Sequence, residues 1–501
     1  MVPFTIPAWL PLLLLPCTLL VLMKKVMESK KQHPPGPPGL PLIGNMHQLG
    51  ALVHQSLWQM SKKYGPLIRL KLGSVPLVVV SSAETARQIL KIHDIETCSR
   101  PELLATGSFS YNFLDIAFAP YGEYWKELRK ISNNELFSNK RVQSFRFIRE
   151  EEVASLVQTL SQSAASKSLV DIKELLFSLS TNVIWRVAFG ESFEENKWES
   201  RVFQVKLKEA ISLLGTFSAS DLFPYVGWII DRLTGLHGRL QKSVQEMDVF
   251  LQEIIEKHEG KKVGEGKEDI VDVLLKIEEL QNEQGSVTLS RNHIKAILKD
   301  VFAAGIESTG ITMVWALTEL MRSPRVMKKI QAEIRDVMGN KGKVNEDDIE
   351  KLVYLNMVVK ETWRLHPPAP LLIPREVMSP FKVNGYKIYP KTRLHVNVWA
   401  IGRDPKIWKD PEEFLPERFA GSSIDFKGQH FEFLPFGGGR RACPGINMGS
   451  TLVELTLANL LYRFDWKLPN GMSKEDINID EAPGISIHKK IPLQVVPAAY
   501  I

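Results

Sequence analysis

The run Pro435-Phe436-Gly437-Gly438-Gly439-Arg440-Arg441-Ala442-Cys443-Pro444-Gly445 holds a cysteine two residues after an arginine, behind a string of glycines. An apolar pattern of helical spacing follows at once (Ile446, Met448, Leu452, Val453, Leu455). Glycine lets backbone approach a flat macrocycle, and a helix start lends its positive end to a nearby sulfur. A thiolate held in this way suits an axial ligand of haem iron, where it pushes electron density onto the metal and favours O–O cleavage. Other roles fit less well. A cysteine acting only as a small buried hydrophobe needs neither the glycines nor the arginines. Zinc and iron–sulfur sites need clustered ligands, whereas Cys17 and Cys98 are far off in sequence and no C-x-x-C occurs. A dinucleotide-binding turn, Gly437-x-Gly439-x-x-Ala442, is interrupted by Pro444 where its helix should open.

Three further groups carry possible chemistry. Ala304-Gly305-Ile306-Glu307-Ser308-Thr309 lies in an apolar stretch, where an interior glycine costs about 1 kcal/mol and an unpaired buried glutamate more. Close packing would explain Gly305 and exposure would explain Glu307. With Ala304 and Ser308 one turn apart and Gly305 on their face, the segment also suits a groove in which an acid and a hydroxyl relay protons. Glu361-Thr362-Trp363-Arg364 places opposite charges at i and i+3, which on a surface are worth under about 1 kcal/mol. Trp125 and Arg129 share a helical face in the same way.

In order along the chain, these motifs resemble those of the cytochrome P450 monooxygenases. Phe436-x-x-Gly439-x-Arg441-x-Cys443-x-Gly445 is similar to that family's haem-ligand signature, and Pro34–Gly39 and Pro416–Phe419 look most like its plant A-type, microsomal group. The resemblance implies haem b with Cys443 as axial thiolate and metal ligand, flanked by Phe436 and Gly437. It implies propionate contacts from Trp125, Arg129, Arg375 and Arg441, arginine's planar fork suiting a carboxylate. Glu361, Arg364 and Arg418, the last from Pro416-Glu417-Arg418-Phe419, are then a structural set behind the haem. Glu307 and Ser308 correspond to an acid–threonine pair; serine keeps the hydroxyl but loses the methyl, and Thr309 is the alternative hydroxyl.

The elements expected to position these residues are mostly helical, with small β-sheets. The longest helix should run from a Ser290 N-cap to Arg322, ahead of Ser323-Pro324, spanning about 48 Å through the core and over the haem. Amphipathic segments cover Tyr121–Leu136, Val142–Ser161, Leu240–His258 and Asp347–His366. Leu67–Leu72 and Leu77–Ser81 read as strands joined by Gly73-Ser74-Val75-Pro76, and Glu256–Asp269 as a solvated loop.

Three domains are expected: residues 1–23 as a membrane anchor, 24–41 as a basic, proline-rich linker, and 42–501 as the catalytic body. No charge interrupts Val2–Met23, and about 20 apolar residues suffice to cross a bilayer. Lys24, Lys25, Lys30 and Lys31 follow, so the positive-inside rule leaves the body cytosolic, on a single-pass protein that the resemblance places at the endoplasmic reticulum membrane. A cleaved signal is disfavoured because basic residues before the apolar run are missing. His33–Pro41 is either an inert spacer or a stiff strut. The 501 residues carry a net charge of +6 without a basic stripe, which argues against nucleic acid as partner.

The expected activity is hydroxylation or epoxidation of a small lipophilic plant specialised metabolite, a terpenoid ahead of an alkaloid or phenylpropanoid. The resemblance implies that its electrons come from NADPH-cytochrome P450 reductase, for which Lys126, Lys130 and Arg440 are candidate docking residues. Two alternatives remain open: a haem-thiolate isomerase or dehydratase needing no reductase, and a non-catalytic membrane-anchored scaffold.

Overall fold

The computed structural model describes residues 32–191, 197–260, 268–284 and 289–500. The expected anchor and its lysines lie outside them, as does half of the expected loop at Glu256–Asp269.

Strands β1 (Leu67–Leu72) and β2 (Val75–Val80) form an antiparallel hairpin, Leu67 opposite Val80 and Leu72 opposite Val75. β2 starts earlier than expected, taking in Pro76. Its parallel pairing with a later strand begins only at Leu77, so the missing proline N–H costs no ladder bond. The strands that follow are β3 (Val170–Asp171), β4 (Arg375–Glu376), β5 (Phe381–Val383), β6 (Tyr386–Ile388), β7 (Arg393–Val396), β8 (Phe464–Lys467) and β9 (Gln494–Ala499). They give sheets ordered β1-β2-β7-β4 and β3-β9-β8, and the hairpin β5-β6.

Seven helices frame the site: α1 (Glu123–Ile131), α2 (Arg146–Ala165), α3 (Ile172–Phe189), α4 (Leu236–His258), α5 (Arg291–Arg322), α6 (Val353–Leu365) and α7 (Ile446–Arg463). α5 has the expected bounds. At its start Ser290 N–H donates to Nδ1 of His293 at 3.0 Å, and at its end Pro324 opens the next helix. Among the described residues it is the one helix long and apolar enough to span a membrane, yet most of it is buried inside the protein. Against it packs an aromatic cluster in which Trp185 stands edge-on to Phe189 with centroids 4.8 Å apart.

Two expected helices are each divided. The Val142–Ser161 segment breaks at Phe145, where the Arg149 guanidinium takes the carbonyl of Val142 at 2.9 Å. The Asp347–His366 segment breaks after Ile349, and α6 begins afresh at Val353 because Glu333 caps it, accepting from Tyr354 N–H at 2.7 Å and Leu355 N–H at 3.1 Å. The Tyr121–Leu136 segment starts at Glu123 and finishes as a wider π-turn, Ser132–Leu136.

The proline-rich run is docked rather than free. Arg69 N–H donates to the Pro35 carbonyl at 2.8 Å, Asn45 bonds to Pro37 and Gln48 to Pro38. Gly36 is required there, since a Cβ would come within 1.9 Å of the Arg69 oxygen.

Candidate active site around Cys443

The loop before α7 is folded back on itself. Cys443 N–H donates to the Phe436 carbonyl at 3.0 Å, and Ala442 N–H to that of Gly439. Gly437 and Gly439 both have φ of +69°, and at Gly439 a Cβ would also lie 2.3 Å from the Leu90 oxygen. Glycine is therefore obligatory at the turn that presents the sulfur. Burial pushes the Cys443 thiol up, while the Gly445 N–H and the Arg129 charge work against that shift. A metal at the sulfur deprotonates such a thiol outright. Arg129 is anchored beside it, donating to the Ala442 carbonyl at 2.5 Å.

Guanidiniums converge on this loop. Arg441 donates to the carbonyls of Cys98 at 2.8 Å and Ala119 at 2.6 Å, and its plane lies 3.9 Å from the Trp125 ring centroid. The Trp125 indole N–H donates to Ile116 at 3.0 Å. Arg375 is ion-paired to Asp94 at 2.7 Å and donates to the Gly438 carbonyl at 2.8 Å. Sequence reasoning missed Arg100, which donates to the carbonyls of Ala117, Ile373 and Pro374 between these two groups. Its only sequence signal is a lone arginine ahead of Pro101.

Burial, with Arg441 and Arg375 close by, holds Arg100 well below the ordinary arginine range. Arg441 is lowered to about 9, chiefly by burial, with Arg375 and Arg129 adding repulsion. Arg100, Arg129 and Arg441 bond to backbone carbonyls and, unlike Arg375, form no ion pair with a carboxylate among the described residues. Buried positive charge in such excess fits a group carrying carboxylates, and the two propionates of haem supply them.

Behind the loop, Glu361 is fully buried and held on both sides. Arg364 reaches it bidentately at 2.7 and 2.8 Å, Arg418 at 2.9 Å, and Leu415 N–H donates to it at 2.8 Å. The expected triad is assembled. Trp363, between Glu361 and Arg364, stands edge-on to Phe436 at 5.0 Å and donates to Thr312 of α5 at 3.1 Å, joining three elements.

On α5 the candidates separate. Ala304 is exposed, and Ser308 donates to its carbonyl at 2.8 Å. Thr309 is buried instead between α5 and α3, with Oγ1 2.6 Å from the Gly305 carbonyl and 3.0 Å from the Ser180 hydroxyl. Gly305 likewise faces α3, where a Cβ would lie 2.7 Å from Ile184, so it serves helix packing and does not share the face of Ala304. Glu307 is partly buried and pairs with His488 at 2.6 Å.

The geometry defines a haem-thiolate protein, with a cysteine on a glycine turn, a cationic cradle and a hydroxyl-bearing helix. The chain belongs to the cytochrome P450 family, whose model matches residues 34–495. It is 56% identical to Cytochrome P450 71B37 of Arabidopsis thaliana, over 98% of this chain and 99% of that one. It is 55% identical to Cytochrome P450 71B35 of the same plant, over 97% of both. A zebra fish cytochrome P450 solved with progesterone superposes with a TM-score of 0.76 at 27% identity, covering 89% of this chain and 99% of that one. The protein is thus a plant A-type haem-thiolate monooxygenase. When bound, the haem supplies dioxygen activation; the polypeptide supplies the sulfur and the cationic surroundings.

Proposed function

We propose that this monooxygenase inserts one atom of O2 into a small lipophilic plant specialised metabolite, a terpenoid ahead of an alkaloid or phenylpropanoid, by hydroxylation or epoxidation. NADPH-cytochrome P450 reductase supplies the two electrons and the second oxygen atom leaves as water. Cys443 is the axial ligand. Trp125, Arg100, Arg129, Arg375 and Arg441 hold the propionates, with Phe436 and Gly437 beside the sulfur. Glu361, Arg364 and Arg418 brace the loop from behind. Glu307 and Ser308 relay protons; Thr309, bonded into the α3–α5 contact, is the less suitable hydroxyl.

The observation that carries the reading is the surplus of buried guanidiniums around the Cys443 loop. An apolar substrate is supported by Phe109, Leu372, Ile373 and Ile485, which lie in Leu103–Phe118, Ala369–Ile373 and Ala482–Ser486, segments that resemble the family's substrate-contacting ones, and by the progesterone in the zebra fish structure.

Attachment to the endoplasmic reticulum by residues 1–23, through the linker 24–41 to the catalytic body 42–501, is supported by an exposed apolar surface near the point where the described chain begins. Leu40 and Leu42 lie on one side, and Tyr225, Trp228 and Leu233 on the other. The β1–β2 turn bridges them, with Gly73 N–H donating to Ile43 and Ser74 N–H to Leu222. A patch of this kind suits a lipid surface.

The test is Cys443→Ala. The wild type should show a red-shifted Soret band in its ferrous carbon monoxide complex and NADPH-dependent product formation with reductase against a plant-metabolite panel. The variant should lose both. A normal band in the variant refutes the ligand assignment; product formation without NADPH or reductase refutes the monooxygenase reading.

A further inference from the structure

Glu307 differs from the hydroxyls beside it. Ser308 and Thr309 turn back to carbonyls of α5 itself, whereas Glu307 reaches out to a residue near the C-terminus, its Oε2 2.6 Å from Nε2 of His488. His488 is well supported. The preceding residue is fixed on both sides, Ile487 N–H donating to the Pro368 carbonyl at 3.0 Å and its own carbonyl accepting from the Trp315 indole at 3.1 Å. The imidazole stacks on Phe177 of α3, with centroids 5.5 Å apart and planes at 25°. Phe177 in turn lies in a notch of α5 made by Gly310, where a Cβ would approach to 2.9 Å. Three parts of the fold therefore converge to aim one imidazole at one carboxylate.

The pair lies at a boundary, His488 26% exposed and Glu307 17%. A hydrogen bond at that distance with an ionised partner is among the stronger kinds, and it removes the rotamer freedom a glutamate otherwise keeps. His488 also follows the Pro483–Ser486 turn, which carries Ile485.

We propose that His488 is a positioning residue for proton delivery: it holds Glu307 in the orientation from which the carboxylate serves Ser308, and ties that orientation to the C-terminal turn. This rests on the reading of Glu307 and Ser308 as the relay. Without the clamp the carboxylate samples other rotamers, and dioxygen that has taken up two electrons and two protons leaves as hydrogen peroxide in place of forming product.

The test uses full-length, haem-loaded protein with reductase and compares His488→Leu, His488→Asn, His488→Gln and Glu307→Gln. Peroxide released per NADPH consumed should rise several-fold in His488→Leu and His488→Asn, as in Glu307→Gln. It should stay near wild type in His488→Gln, whose longer amide still reaches Glu307. A purely structural role would not separate Asn from Gln. Thermal melts give a readout independent of turnover: the His488→Leu/Glu307→Gln double variant should lose less than the sum of the single losses. Wild-type peroxide yield in His488→Asn beside a raised yield in Glu307→Gln, or additive melting losses, overturns the proposal and leaves the relay standing. An unchanged yield in Glu307→Gln overturns the relay itself.

Discussion

Arg441 and Trp125 share an acceptor as well as a stacking face. The guanidinium lies 3.9 Å from the indole centroid, and both side chains donate to the carbonyl of Ile116, at 3.4 and 3.0 Å. The loop Asp115–Ala119 is thereby bound to the Cys443 loop and to α1 at once. Trp125→Phe keeps a ring face but removes the N–H, at a cost of about 1 kcal/mol. Trp125→Ala removes the stacking too, about 2 kcal/mol more for a desolvated cation. Haem content per mole of protein should fall in the order wild type, Phe, Ala, measured by the pyridine haemochrome absorbance.

Glu361 is the shared counter-charge of two guanidiniums and is itself fully buried. Glu361→Ala leaves Arg364 and Arg418 without a counter-charge, a loss of about 3–5 kcal/mol for a buried pair broken on one side. The expected outcome is little soluble, haem-loaded protein. Arg418→Lys keeps the charge and should retain a substantial fraction, and comparing carbon monoxide difference spectra checks the ranking.

Ser308 and Thr309 should separate in function as they do in space. Ser308→Val removes the hydroxyl that bonds to Ala304 and should raise peroxide release per NADPH. Thr309→Val removes a bond to Ser180 inside a packed interface and should lower the melting temperature by the equivalent of about 1 kcal/mol with little effect on peroxide.

Asp115, fully buried, and Asp300, half-buried, share a hydrogen bond, which pins the same loop to α5. Asp300 accepts from Ile116 N–H at 2.8 Å and Ala117 N–H at 3.0 Å. Burial raises both, Asp300 to about 6 and Asp115 well above the usual carboxylate range, the latter also through its neighbour's charge. Because the folded values lie above the unfolded ones, the pair's contribution is complete below about pH 4 and declines as pH rises through 6. Asp115→Asn keeps a donor for Asp300 and removes one ionisation. Its melting temperature relative to wild type should therefore climb between pH 5 and pH 8, by the equivalent of about 1–3 kcal/mol. A constant difference across that range would contradict the shared proton.

Lys126, Lys130 and Arg440 were expected at the reductase face. Lys126 makes an exposed pair with Glu123 at 2.6 Å, weak enough to exchange partners, whereas Arg440 reaches down from the surface to the buried Asp94 at 2.9 Å. Reversing all three charges should slow reduction by the reductase at low salt and matter less at high salt, read by stopped-flow carbon monoxide trapping.

Resemblance to a family motif supplied Arg418, 57 residues from Glu361; local chemistry, read from the sequence alone, was enough for the cysteine turn, the bounds of α5 and the first hairpin. Each of these depends on neighbours a few residues apart: glycine where φ is positive, a serine cap, a proline stop, alternating apolar residues. The remainder depended on partners distant along the chain. Glu333 starts α6 and Arg149 interrupts the helix before it, each by taking backbone groups that propensity assigns to the helix itself. Thr309 turns to Ser180 and Glu307 to His488, so the directions taken by these residues were decided by the packing of α3 and the segment before the C-terminus. Arg100 acquires meaning only beside Arg375 and Arg441. Hydrogen bonding and charge act over a few ångströms of space, whatever the separation in sequence, and only the folded chain sets those distances.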